Sequence, residues 1–486
     1  MRMPLIIDLA TEDDTTGLGK ALAGLLRAGD SLLLEGPIGA GKSHLARALI
    51  RARLGPHEDV PSPTFTLVQT YPGDPDIWHA DLYRLTHPDE VVELGLEDAF
   101  ATAICLIEWP DRLGSILPEN ALRLKLETLG EGRRATLLSG DRPGFDLALS
   151  SRMRAMAAEA FLADTGWPQA HHASLAGDAS ARRYERLTST TETAILMDAP
   201  PGQADSVADF VKIDQHLLAL GLSAPRILAQ DTAQGFLLLE DFGDGLYPGY
   251  IAADPALEPV LYEAATDTLL DLQARAPAAD LPDATAQDWA EAAALAIDWY
   301  RMGVTGDTLG RSDFVSVLAQ TLKHHADGPR VMILRDYHAE NLMWLPQRQG
   351  LARVDLLDFQ LAQLGQPGYD LVSLLQDARR DVPEVIETAM IHRFAAMKGA
   401  DSAAFAASYA ALGAQRALRI LGIFARLCLK DGKARYIPLI PRVWDQLQRN
   451  LTHPALSDLQ AVCASLLPAP NSETLQHLEA QCGAFR

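Results

Sequence analysis

Residues 36–43 read Gly-Pro-Ile-Gly-Ala-Gly-Lys-Ser, and this octet restricts the surrounding chain more tightly than any other feature. It fits G-x-x-x-x-G-K-[ST] and stands between an apolar run, SLLLE at 31–35, and a helical pattern, HLARALIRAR at 44–53. Each position has a chemical reason. Gly36, Gly39 and Gly41 let the backbone bend so that successive N–H groups point inward at phosphate oxygens. The N-terminus of the following helix adds partial positive charge, Lys42 supplies a formal charge to the β- and γ-phosphates, and the Ser43 hydroxyl is a magnesium ligand. Strand, loop and helix in that order predict an α/β domain that binds ATP with Mg2+.

Further strands are expected at 77–81 (IWHAD), 104–108 (ICLIE) and 122–127 (LRLKLE), the last with clean alternation. Asp81 and Glu108 close two of them, where an acid can reach the metal or the attacking water; both are candidate catalytic residues and Glu108 a candidate metal ligand. The chain has 486 residues, too many for one core. A turn-rich segment, SGDRPGFD at 139–146, marks the end of the first domain. The expected division is 1–142, a linker at 143–154, a strand-rich lobe at 155–250 and a helical lobe at 251–486.

Residues 5–138 resemble the TsaE family, the ATPase subunit of the bacterial machinery that makes threonylcarbamoyl-adenosine in tRNA. The likeness rests on the octet together with SPTFTL (62–67), HADLYRL (79–85), Glu93-Leu-Gly95 and Glu108-Trp109-Pro110. It implies that 62–67 is a switch loop near the nucleotide, with Thr64 and Thr66 at the site, Asp81 and Glu108 serving metal and hydrolysis, and Trp109 beside them. It also implies that hydrolysis resets a complex with two partner proteins.

A second constellation lies far downstream. Leu334-Arg-Asp336-Tyr-His-Ala-Glu-Asn341 follows the apolar run VMIL, and LLDFQ (356–360) brings Asp358 seventeen residues after Asn341. An Asp with an Asn five residues later is a kinase catalytic-loop arrangement: Asp336 accepts the hydroxyl proton while Asn341 and Asp358 bind magnesium. Upstream, LAGDASARRY (175–184) has the small and hydroxyl residues of a turn over phosphates, with Gly177, Ser180 and Arg182 or Arg183 facing ATP. FLLLED (236–241) reads as the strand to a hinge, where Glu240 and its neighbours meet adenine through backbone groups.

These residues resemble the aminoglycoside-phosphotransferase-like kinases, a two-lobed α+β fold. With AILMDAPP (194–201), Tyr369-Asp-Leu and Asp377-Ala-Arg379, they are similar more narrowly to the anomeric kinases of N-acetylmuramate and N-acetylglucosamine in cell-wall recycling. That likeness implies transfer of the ATP γ-phosphoryl to the C1 hydroxyl of an amino sugar. Leu334 stands where His is usual and Gln360 where Gly is usual. ILMDAPP lacks the small-lobe Lys, leaving Arg182, Arg183 or Lys212 to supply the cation. The alternatives are a kinase for an aminoglycoside or a choline-like acceptor, a degenerate scaffold, and a first domain acting as a nucleotide-gated partner-binding module.

The formal charge of −22 is shared between the parts: 14 Lys and Arg face 23 Asp and Glu in 1–150, and 28 face 41 thereafter. Neither part is a basic module, so direct nucleic-acid binding is not expected. Four scattered cysteines, an acidic N-terminal segment and the absence of any apolar run near ~18 residues suggest a cytoplasmic chain without a membrane span.

Overall fold

A computed structural model describes residues 3–85, 89–175, 182–203 and 206–485. The chain divides into two compact units, Met1–Gln169 and Ala170–Arg486.

The first unit is α/β. Its elements are β1 (Leu5–Leu9), α1 (Glu12–Ala23), β2 (Ser31–Glu35), α2 (Lys42–Leu54), β3 (Val68–Tyr71), β4 (Ile77–Asp81), α3 (Asp89–Val92), α4 (Leu96–Thr102), β5 (Ile104–Glu108), β6 (Leu122–Leu129), β7 (Gly132–Leu138) and α5 (Phe145–Asp164). Seven strands form one sheet in the order β1-β7-β6-β2-β5-β4-β3. β2 is central and parallel to both β5 and β6, and β4 is parallel to β5. Leu32, Leu33 and Leu34 are therefore buried on both faces, which explains the unbroken apolar run. Because β2, β4 and β5 point the same way, their carboxyl ends share one edge of the sheet, where α/β proteins bind ligands.

The segment expected as a linker at 143–154 is instead the start of α5. Phe145 and Leu149 are buried in the same core as Leu18 and Leu22 of α1, and Arg142 is ion-paired to the buried Asp30. Apolar residues are spread around this helix rather than gathered on one face, so the turn residues before it were the stronger sequence signal.

The second unit opens with a five-stranded antiparallel sheet, β11-β12-β10-β9-β8, built from β8 (His171–Leu175), β9 (Arg183–Thr188), β10 (Thr193–Asp198), β11 (Ile227–Asp231) and β12 (Phe236–Glu240). A helix, α6 (Val207–Ala219), interrupts what the sequence presents as strand-like; Ser206 caps it by accepting from the Asp209 N–H. Helices then dominate: α7 (Tyr247–Ala253), α8 (Glu258–Leu272), α9 (Ala286–Ala293), α10 (Met302–Thr305) and α11 (Arg311–His325), and after residue 366 α12 (Tyr369–Leu375), α13 (Glu384–Lys398), α14 (Ser402–Leu429), α15 (Ile440–Leu451), α16 (Ser457–Leu466) and α17 (Ser472–Ala480). The lobe break expected at 250/251 falls inside α7.

Between the two helical groups lie four three-residue strands, β13 (Val331–Ile333), β14 (Leu342–Trp344), β15 (Val354–Leu356) and β16 (Gln363–Gly365). β13 pairs with β16 and β14 with β15. The two ladders set the loop after β13 beside the loop after β15. Among the described residues, no helix is long and apolar enough to cross a membrane.

Candidate active sites

In the first unit, the loop after β2 turns through Gly36, Gly39 and Gly41 at φ 133°, 81° and 100°, values that side chains with a Cβ rarely adopt. A Cβ on Gly36 would also collide with the carbonyl oxygen of Leu126. Gly41 is the N-cap of α2, and no side chain caps this end, so the first helical N–H groups face the loop. Lys42 is buried and donates to the carbonyl oxygens of Gly36 (2.8 Å) and Pro37 (2.9 Å). Its ammonium lies 4.1 Å from the ring centroid of Trp109. Burial lowers the Lys42 pKa, and the charges of Glu108 and Asp81 act against that shift.

Asp81 and Glu108 are register partners on adjacent parallel strands, and both are buried. Thr64 donates its hydroxyl to Asp81 Oδ2 at 2.7 Å, and the Tyr83 N–H donates to Oδ1. Thr66 is exposed, and no side-chain hydrogen bond of Thr66 occurs among the described residues, so Thr64 alone of the two meets the acids. Trp109 adopts a left-handed conformation (φ 62°) and packs against Tyr83 with ring centroids 5.0 Å apart. Ser43 is half-buried in the first turn of α2, directly after Lys42 in the chain.

One group went unread in the sequence. His79 Nε2 sits 3.0 Å from Glu108 Oε1, both side chains being almost fully buried, and it fixes the orientation of that carboxylate. The register of β4 and β5 was the signal available: His79 aligns with Leu106, two residues before Glu108, so both side chains emerge on one face.

In the second unit, the loop from Leu334 to Asn341 is held from below. Asp370, at the start of α12 and fully buried, accepts the N–H groups of Leu334 (2.6 Å) and Arg335 (2.9 Å). This clamp supports Arg335 at φ 72° and sets the direction of Asp336. Asn341 Nδ2 donates to the backbone oxygen of Asp336 (2.9 Å), and the Leu357 N–H donates to the backbone oxygen of Asn341 (3.0 Å). Asp358 follows at φ 55°, with Gln360 donating to its Oδ1 at 2.7 Å. The structure therefore brings together the loops bearing Asp336, Asn341 and Asp358, and Gln360 has a defined task as the group that orients Asp358. His338 Nε2 lies 3.3 Å from Asn341 Nδ2 and 3.2 Å from Arg379 Nη1, and Arg379 is paired with Glu340.

The small-lobe expectations fare differently. Gly177 and Ser180 lie outside the described residues. Arg182 is buried just ahead of β9, while Arg183 is exposed and aligned with Asp198 on β10. Lys212 turns toward the carbonyl of Asp280 (3.5 Å). Glu240, expected to meet adenine through backbone groups of its strand, donates its N–H to the Arg226 oxygen, and its carboxylate binds Arg226 (2.8 Å) and Arg348 (3.4 Å). Its donor is thus already committed within the protein.

Comparison with known families agrees with this division. Residues 9–136 match the family described as threonylcarbamoyl adenosine biosynthesis protein TsaE, and residues 171–418, over half of the chain, match the phosphotransferase enzyme family. The chain belongs to the phosphotransferase enzyme family and carries a TsaE-family domain ahead of it. The phosphotransferase part is 39% identical over 353 residues to the N-acetylmuramate/N-acetylglucosamine kinase of Caulobacter vibrioides, covering 65% of this chain and 97% of that one. It is 36% identical over 331 residues to the kinase of the same name from Pseudomonas aeruginosa, covering 63% and 93%. The TsaE domain is 40% identical over 127 residues to the tRNA threonylcarbamoyladenosine biosynthesis protein TsaE of Rickettsia felis, covering 26% and 74%.

The phosphotransferase unit also buries several acids. Desolvation pushes Asp214 and Asp370 up from the ordinary 3.8 to about 7, and raises Asp377 and Asp355 as well. A carboxyl with a raised folded pKa contributes stability that is complete below its unfolded value and is lost as pH climbs through its folded one. Across about pH 4–7 the folded unit holds protons that the unfolded chain has released. Its melting temperature is therefore expected to fall between pH 5.5 and 8. Asp214→Asn should flatten this dependence, with a gain on the order of 1–4 kcal/mol at pH 8. Melting curves that rise with pH over this range would refute it.

Proposed function

We propose that the chain is bifunctional: the TsaE-family domain hydrolyses ATP in support of threonylcarbamoyl-adenosine formation in tRNA, and the phosphotransferase unit phosphorylates the anomeric hydroxyl of N-acetylmuramate or N-acetylglucosamine. The observation that carries the second half is the clamped loop of Asp336, Asn341 and Asp358, in a unit that spans 97% of a kinase acting by name on those sugars. The first half is supported by the glycine loop and the paired acids Asp81 and Glu108 within a TsaE-family domain.

In this proposal Asp336 accepts the proton of the sugar hydroxyl, and Asp370 holds the backbone that aims it. Asp358, oriented by Gln360, and Asn341 offer hard oxygens suited to Mg2+, as do Ser43 and Glu108 in the first site. Bound magnesium would neutralise phosphate charge in both. Lys42 and the loop N–H groups hold the phosphates of ATP, while Asp81 and Glu108, fixed by Thr64 and His79, position the attacking water. The TsaE domain's partners are two further subunits of the tRNA-modifying machinery, and the chain works in the cytoplasm.

The test is mass-spectrometric detection of product from the purified chain, magnesium-ATP and a panel of N-acetyl sugars, aminoglycosides and choline. An N-acetyl sugar 1-phosphate is the expected product. Phosphorylation of an aminoglycoside or choline alone would replace the sugar assignment.

A further inference from the structure

The P-loop site contains a cation that neither the octet nor its neighbours reveal. Arg133, on β7, lies across Gly41: its Nε, Cδ and Cζ stand 2.7, 3.0 and 3.4 Å from where a Cβ on that glycine would be. The arm of the side chain thus runs over the loop backbone at the point where α2 begins. Gly41 is required twice over, by its φ of 100° and by the room Arg133 occupies.

The other basic residues of this part of the sheet are matched to acids. Arg134 forms a two-pronged pair with Asp8 (2.6 and 2.8 Å), Arg123 binds Glu35, and Lys125 binds Glu127. Arg133 is half-buried and, among the described residues, has no carboxylate within ion-pair distance. A guanidinium brought out of water without an acid, beside uncapped helix N–H groups, is suited to an anion. Its planar fork matches two phosphate oxygens.

We propose that Arg133 is a second cation of the nucleotide site and contacts the α- and β-phosphates. The loop backbone cradles those phosphates, while the P-loop lysine reaches the β- and γ-phosphates. Arg133 lies against the backbone at Gly41, whereas Lys42 points to Gly36 and Pro37. Contact with the diphosphate means that ADP and ATP both depend on it. The inference rests on reading residues 36–43 as a nucleotide cradle.

Isothermal titration calorimetry of the full chain with Mg-ADP and with a non-hydrolysable Mg-ATP analogue tests it. Lys42→Ala identifies the binding event that belongs to the first unit. Arg133→Gln is expected to weaken that event about ten- to a hundred-fold for both nucleotides, the effect of losing a charge-assisted contact. Arg133→Lys should fall between, and its unchanged melting temperature separates lost contact from lost fold. An unaltered dissociation constant in Arg133→Gln, while Lys42→Ala loses the event, overturns the role of Arg133 alone. A loss confined to the triphosphate analogue overturns the α/β assignment. If Lys42→Ala also binds as wild type, the nucleotide cradle itself is refuted.

Discussion

Asp336→Ala is expected to lower sugar phosphorylation by about 10²–10⁴-fold, the range spanned by a positioned general base. The backbone around it is fixed independently of its own side chain, through the Asp370 clamp on Leu334 and Arg335 and the Asn341 bond to the residue 336 carbonyl. The substitution should therefore leave the loop in place and remove only the proton acceptor. Steady-state assays should show the loss in kcat with little change in KM for ATP, because the nucleotide contacts lie on other residues. A fold-preserving Asp336→Ala enzyme that kept wild-type turnover would remove Asp336 from the chemistry.

The second large effect is at Lys42. Lys42→Ala is expected to reduce ATP hydrolysis by the TsaE domain about 10²–10³-fold, as loss of a buried charge aimed at developing phosphate charge implies. The ammonium bridges the Gly36 and Pro37 carbonyls and sits against Trp109, so no neighbouring cation reproduces its place. Phosphate release is the readout for this variant and sugar 1-phosphate for Asp336→Ala, each substitution sparing the other activity. If one folded variant lost both, two independent sites would be the wrong description.

Much of this was legible in the sequence wherever function demands a local pattern. The glycine loop between SLLLE and α2, the acids ending β4 and β5, and the spacing from Asp336 to Asn341 to Asp358 are all short-range signals, and the folded chain places them together as that spacing requires. What escaped was long-range. His79, read only as the first residue of HADLYRL, meets Glu108 across two strands, and Arg133 reaches Gly41 from a strand more than ninety residues away; neither contact has a local signature. The surroundings of Glu240 are long-range in the same way: Arg226 and Arg348 meet its carboxylate from outside the FLLLED strand that the sequence offers. The turns at 139–146 hid the start of α5, which docks through Phe145 and Leu149 with Met153 and Met156 packed beside them.

The pairing of Asp81 with Glu108 across β4 and β5 has a consequence for how this domain can diverge. Neighbouring strands are tied at a spacing of about 4.8 Å, and alternate residues face opposite sides. A single-codon deletion within either strand, its upstream register kept, would move one acid by one position to the opposite face and bring the residue after it, Leu82 or Trp109, into its place. The strand interiors are thus closed to length variation, whereas the turn between β6 and β7 can change length without disturbing the alignment of the two acids. Natural insertions and productive engineering should concentrate there, leaving the acid-bearing strands constant in residue count even where their apolar side chains drift.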